Sequence, residues 1–168
     1  MSQTLKEVLG GTEATVLSTE LNGLANNASA LSAVVGGAGV FNNNAGSGQS
    51  ASSGDGYVRG YLTLSIATLG GNPTANTSLD VYFVKESPPG SASYEDSSGN
   101  STPAGVPTAK PDASFQLDSG RSSAQLLTRQ VFLPACNFKV LLRNNGTGQA
   151  LNASGNTLKL MPATDQMV

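Results

Sequence analysis

The strongest constraint on this chain is an alternation of apolar and polar side chains that returns repeatedly from Tyr57 onward, cut each time by Gly, Pro or Asn. Val58, Leu62, Leu64 and Ile66 share one face of an extended segment, with Arg59, Tyr61, Thr63 and Ser65 on the other. Gly71, Asn72 and Pro73 end it, because proline lacks the N–H that a sheet ladder needs. Residues 78–86 resume the pattern, with Leu79, Val81 and Phe83 opposite Asp80, Tyr82 and Val84. A short strand is expected near 113–117, then a turn at 118–121. Residues 123–133 alternate again, Ala124, Leu126 and Thr128 opposing Gln125, Leu127 and Arg129, until Pro134. Phe138, Val140 and Leu142 define the next strand, which Asn144, Asn145 and Gly146 turn away, since Asn and Gly tolerate positive φ. Residues 157–161 read as the last strand, with Leu158 and Leu160 inward and Lys159 outward. About six or seven short strands with polar turns and no interleaved helices predict an all-β protein, a β-sandwich or jelly-roll-like domain over 57–168. The connection over 146–156 exceeds a hairpin turn and suits a crossover between two sheets.

Residues 1–35 read differently. Leu17, Leu21, Leu24, Ala28 and Leu31 fall at steps of four, three, four and three, the stripe of an amphipathic helix. Ser18 and Glu20 suit its first turn. Asn22, Gly23, Asn26 and Asn27 oppose it, Gly23 alone by about 1 kcal/mol against Ala. Such a helix needs a surface, its own domain or a neighbouring subunit on which 1–35 lies as a helical or extended arm; the remaining alternative is a mobile tail. On the arm reading, removing 1–35 leaves the sandwich folded. Residues 36–56 are a Gly/Ser/Asn-rich linker in which Val40 and Phe41 are the only sizeable apolar residues. Residues 87–112 hold five of the eight prolines and form a loop far longer than the usual ~4–6 residues.

Composition narrows the chemistry. There is no histidine, which removes Ser-His-Asp and Cys-His nucleophile pairs and any His-ligated metal site. The one cysteine, Cys136, allows no internal disulfide and no Cys-rich metal site, and reads as a buried structural thiol. No apolar stretch approaches the ~18 residues of a membrane span. Nine Lys+Arg are scattered against eleven Asp+Glu, for a net charge of −2, so an electrostatic grip on nucleic acid is not expected. The opening MSQTLKEVLGG lacks the apolar core of a secretory signal, and synthesis in a cytoplasm is expected.

What remains for acid–base work is Glu95, Asp96 and, further along the same loop, Asp112. Adjacent carboxylates rarely address one substrate, and glycosidase pairs stand ~5–10 Å apart across a sugar ring. Solvated loop charges are the plain reading, with a loosely held Ca²⁺ the alternative. The Gly-rich stretches at 36–39 and 46–48 lack the Lys-Ser/Thr ending of a phosphate loop. A surface-recognition loop would use Tyr94, Glu95, Asp96 and Asp112, Tyr94 being the candidate aromatic platform for a sugar. No catalytic residue, cofactor or metal is assigned, and a non-enzymatic role is expected.

Several stretches carry a family likeness: LDVYFV at 79–84, YED at 94–96, VFLP at 131–134, FKVLL at 138–142 and GQALNASGNTLKL at 148–160. Together they resemble small β-sandwich proteins found among the virion structural genes of tailed bacteriophages. STELNGLA at 18–25 is similar to the start of such proteins. The resemblance covers roughly 57–161 and implies a virion component without fixing its position. The leading expectation is a capsid cement (decoration) protein whose partners are the major capsid protein or other virion proteins and further copies of itself. A trimer follows by analogy, with neither nucleic acid nor membrane as a partner. Leu17, Leu21, Leu24 and Leu31 would then be the assembly residues, with Val40 and Phe41 as secondary anchors. The alternatives are a tail, baseplate or fibre-associated adhesin binding host glycan through the loop that holds Tyr94 and Asp112, or a neck adaptor.

Overall fold

Alternation becomes burial in a computed structural model that describes residues 5–9, 13–35, 59–87, 93–94, 110–134 and 136–167. Nine strands form: β1 (Leu5–Leu9), β2 (Ala14–Leu17), β3 (Ser29–Val35), β4 (Arg59–Ile66), β5 (Ser78–Lys85), β6 (Ala113–Gln116), β7 (Gln125–Phe132), β8 (Phe138–Asn145) and β9 (Thr157–Met167). In β4 every second residue is buried, Leu62, Leu64 and Ile66 facing the core as the pattern predicts. Phe138, Val140 and Leu142 of β8 and Leu158 and Leu160 of β9 do the same.

The strands make two antiparallel sheets. Sheet I runs β2-β9-β4-β7, with β1 pairing the far half of β9, and sheet II runs β3-β8-β5-β6. The pairs nest: β2 with β9, β3 with β8, β4 with β7, β5 with β6. This is a long hairpin rolled over itself, the strand order of a jelly roll. The crossover expected over 146–156 is present, carrying the chain from β8 in sheet II to β9 in sheet I.

Four edges result, and each is blunted in its own way. β3 is bulged between Leu31 and Val34, β6 has only four residues, and the β1–β2 edge is interrupted. On β7 the Arg129 guanidinium reaches across the open side, its Nε donating to Ser114 O at 3.2 Å and its Nη1 to Thr128 O at 3.2 Å.

Two sequence expectations need correction. The last strand does not end at 161 but runs through Pro162 to Met167. Pro162 stands opposite Gly60, where a Cβ would lie 2.9 Å from Leu160 Cδ1 and 3.1 Å from Met161 O, so a side chain there would be crowded out. The larger correction concerns the leucine stripe. Residues 17–31 contain no α-helix, only a 3₁₀ turn at Thr19–Leu21. Gly23 at φ +70° and Asn27 at φ +63° adopt left-handed backbone that no helix can contain. Leu17 closes β2, Leu21 and Leu24 fill the core, and Leu31 belongs to β3. Residues 18–28 are therefore the connection between the sheets, and β2 and β3 are strands of the sandwich, not an arm laid over a neighbour. Six of the 24 residues in the main core cluster precede residue 36.

Asparagines hold this connection in place. Asn144, with no exposed surface, donates through Nδ2 to Leu24 O (3.4 Å) and Gln149 O (2.8 Å) and accepts the Thr147 hydroxyl at 2.5 Å. Its backbone exchanges bonds with Asn27 N–H and Ala28 O. Asn156 accepts Ala67 N–H and donates to Asn22 Oδ1 and Asn152 O. Gly148 N–H donates to Asn26 Oδ1, and Leu151 N–H to Leu24 O. Buried amides are costly unless paired, and here both ends of Asn144 and Asn156 are paired.

Candidate functional site

The two sheets present very different outer faces. On sheet II the outward residues of β5, Asp80, Tyr82 and Val84, are themselves covered. Tyr82, Val84, Leu141 and half-buried Leu31 form a second apolar cluster with Tyr94, which is only 6% exposed. Tyr94 is held by a β-bridge to Glu86, and the Lys139 ammonium lies 4.6 Å from its ring centre. Burial, then the charge of Glu86, pushes the Tyr94 hydroxyl above its ordinary pKa. Burial and then Asp80 do the same to Tyr82, against an opposing contribution from Arg143. Asp80, 4% exposed, accepts from Ser78 Oγ, Ser114 Oγ and Asn145 Nδ2, each at 2.7 Å. The most open large apolar residue described on this face is Val34, at the β3 edge.

Of the expected recognition residues, Tyr94 is buried while Asp112 is exposed. Tyr94 is buried as packing. Asp112 is structural: its Oδ2 accepts Phe83 N–H at 2.7 Å and its own N–H donates to Val81 O at 2.9 Å, continuing the pairing of β5 where β6 begins. Glu95 and Asp96 lie outside the described residues, as do Val40 and Phe41. Of the expected assembly residues, Leu17, Leu21 and Leu24 are consumed by the core and Leu31 is packed on sheet II, so these four present no docking stripe.

Sheet I is bare by comparison. Arg59, Tyr61, Thr63 and Ser65 of β4 are half-buried, flanked by Thr157, Lys159 and Met161 of β9 and by Leu126, Thr128, Gln130 and Phe132 of β7. Phe132 is 80% exposed and Leu126 is 71% exposed. Gln130 Nε2 donates to the Tyr61 hydroxyl at 3.2 Å, and Lys159 pairs with Glu13 at 3.1 Å. The sequence reading missed Leu126 and Phe132 as surface residues. Both share a face of β7 with Thr128 and Gln130, and because each face carries large apolar residues the alternation alone does not choose between them.

Where β6 and β7 flank the open side of the sandwich lies a groove of about 540 Å³, lined by Gln116, Asp118, Arg121, Gln125, Leu126 and Arg129 among others. Arg121 is tied over its own turn by Nε to Ser123 Oγ (3.0 Å) and Nη2 to Ala124 O (2.8 Å). Gln125 Oε1 accepts Asp118 N–H at 3.0 Å and braces the groove floor. Among the described residues no three His, Cys, Asp or Glu side chains gather as a metal site, and Cys136 is half-buried. The arrangement offers an open sheet face and a polar groove. No known protein family, characterised protein or solved structure matches this chain.

Proposed function

We propose that this chain is a non-enzymatic structural protein of a tailed-bacteriophage virion, a capsid cement protein that docks on the shell through the outer face of sheet I. The observation that carries this reading is the asymmetry of the sandwich. Sheet II is covered by the chain's own Tyr94, whereas sheet I displays Phe132 and Leu126 on a regular surface of hydroxyls and amides. Exposed apolar groups rimmed by polar ones mark interaction surfaces, and aromatic residues dominate the energetics of such contacts. Jelly rolls build viral capsid domains, in keeping with the resemblance of the strand segments to virion proteins. Many weak contacts repeated by symmetry sum to strong attachment, so a modest patch on each copy suffices. The partners are the major capsid protein and further copies of this chain.

The test is the number of copies per purified virion, measured by quantitative mass spectrometry against the major capsid protein. A ratio near one per capsid subunit, or a simple fraction of it, is expected. A dozen or a few dozen copies would place the protein at the neck, tail or fibres and overturn the cement assignment. Phe132→Ser in the full chain is expected to abolish binding to shells that lack the protein; unaltered binding would remove sheet I from the docking face.

A further inference from the structure

We propose that the groove between β6 and β7 is a binding site for a carboxylate-bearing saccharide, held by Arg121 and Arg129. This goes beyond a structural role, and it places recognition away from the Tyr94 loop. Both guanidinium groups line one groove, and every hydrogen bond they make goes to a neutral oxygen: Ser123 Oγ and Ala124 O for Arg121, Ser114 O and Thr128 O for Arg129. Neither forms an ion pair with a described residue. Asp118, the one carboxyl lining the groove, instead accepts Gly120 N–H at 2.8 Å.

These four bonds fix both side chains and leave each guanidinium with N–H groups to spare, since arginine carries five. A pinned guanidinium loses little conformational freedom when an anion arrives, and its planar fork suits a carboxylate. The groove therefore holds two prepositioned positive charges against one negative, in a protein whose net charge is −2.

The rest of the lining selects a sugar over an acidic peptide. Gln116 can donate to and accept from hydroxyls and Asp118 can accept from them, and Leu126 offers an apolar rim for the C–H face of a ring. A peptide strand would need the free backbone of β7, and Thr128 O there is already taken by the Arg129 guanidinium. A volume near 540 Å³ falls within the ~300–1,000 Å³ of small-ligand sites and suits one or two sugar rings.

The experiment is an amide-resolved NMR titration of the full chain with glucuronic acid and N-acetylneuraminic acid. Glucose, inorganic phosphate and a Glu-Glu dipeptide serve as comparison probes. We expect saturable shifts confined to residues around Gln116, Leu126 and Arg129 with at least one acidic sugar, weakened by added salt. Glucose should give none. Arg129→Gln and Arg121→Gln should each weaken binding tenfold or more; if Arg129→Gln fails to fold, Arg121→Gln on the exposed turn and Gln116→Ala carry the same comparison. Absence of saturable binding by both acids, equal binding of glucose, or affinity unchanged in the folded variants would overturn the site. Tighter binding of phosphate or of the dipeptide would overturn the saccharide assignment.

Discussion

β4 and β5 are central strands of the two sheets, each eight residues long, and they differ in one respect. In β4 burial alternates strictly, while in β5 six consecutive residues are buried. The difference does not lie in the inward face, which is apolar in both: Leu62, Leu64 and Ile66 in β4, Leu79, Val81 and Phe83 in β5. It lies in what covers the outward face. β5 carries Asp80, Tyr82 and Val84 outward, beneath hydrogen-bonding neighbours and the ring of Tyr94. β4 carries Tyr61, Thr63 and Ser65 outward, with Phe132 beside them left open. Among the described residues, the centre of one sheet is covered by the chain itself and the outer face of the other is left open.

Four experiments would break or sharpen that contrast. Removal of residues 1–35 has the largest expected effect: it deletes β1, β2 and β3 and takes Leu17, Leu21 and Leu24 from the core, so the cooperative thermal transition should vanish. A sandwich that still melts cooperatively without these residues would restore the idea of a detachable arm. Asn144→Ala comes next, at about 3 kcal/mol, because it removes three buried side-chain hydrogen bonds at about 1 kcal/mol each, to Leu24 O, Gln149 O and the Thr147 hydroxyl; chemical denaturation measures it. Tyr94→Ala should cost about 2 kcal/mol by uncovering Tyr82, Val84 and Leu141. Phe132→Ser should change stability by no more than about 0.5 kcal/mol, since the ring is already in water. Equal losses for Tyr94→Ala and Phe132→Ser would erase the distinction between covered and open faces.

The covered face also predicts a pH dependence. Tyr82 and Tyr94 have hydroxyl pKa values raised above the ordinary value of 10.0, chiefly by burial. In the unfolded chain these groups ionise near pH 10, while in the folded protein they stay neutral to higher pH. Their contribution to stability is therefore complete below pH 10 and declines as pH rises through the unfolded and then the folded values. Tyrosinate absorbance should show Tyr82 and Tyr94 titrating late, and Tyr94→Phe should remove one late step. Ordinary titration of both would mean that the sheet II face is open.

The strands from β4 onward were legible because each pairs an apolar inward row with turn-forming ends, as Leu62, Leu64 and Ile66 before Gly71 and Pro73 illustrate. β2 and β3 were not. ATVL and SALSAVV contain no clean alternation, and the leucine spacing across 17–31 imitates a helix. What decided against the helix was long-range: Asn144 captures the Leu24 carbonyl and Asn156 the Asn22 side chain, across 120 and 134 residues of chain. It follows that STELNGLA and GQALNASGNTLKL, two of the stretches with a family likeness, pack against each other and serve the fold. For the site, leucines judged available by spacing were interior, and the exposed Phe132 and Leu126 were hidden in a strand whose inward face could not be chosen from sequence.

By itself the amino-acid sequence determined the all-β class, most strand boundaries and the crossover before the last strand, because alternation and turn residues act over a few neighbouring positions. It also removed histidine chemistry outright. Tertiary structure alone decided which face of β7 meets the core, that residues 14–35 belong to the sandwich, that Tyr94 and Asp112 are structural, and that Arg121 and Arg129 share a groove. Those outcomes depend on pairing between segments roughly a hundred residues apart, where burial and hydrogen bonding are settled by the partner and not by the local pattern.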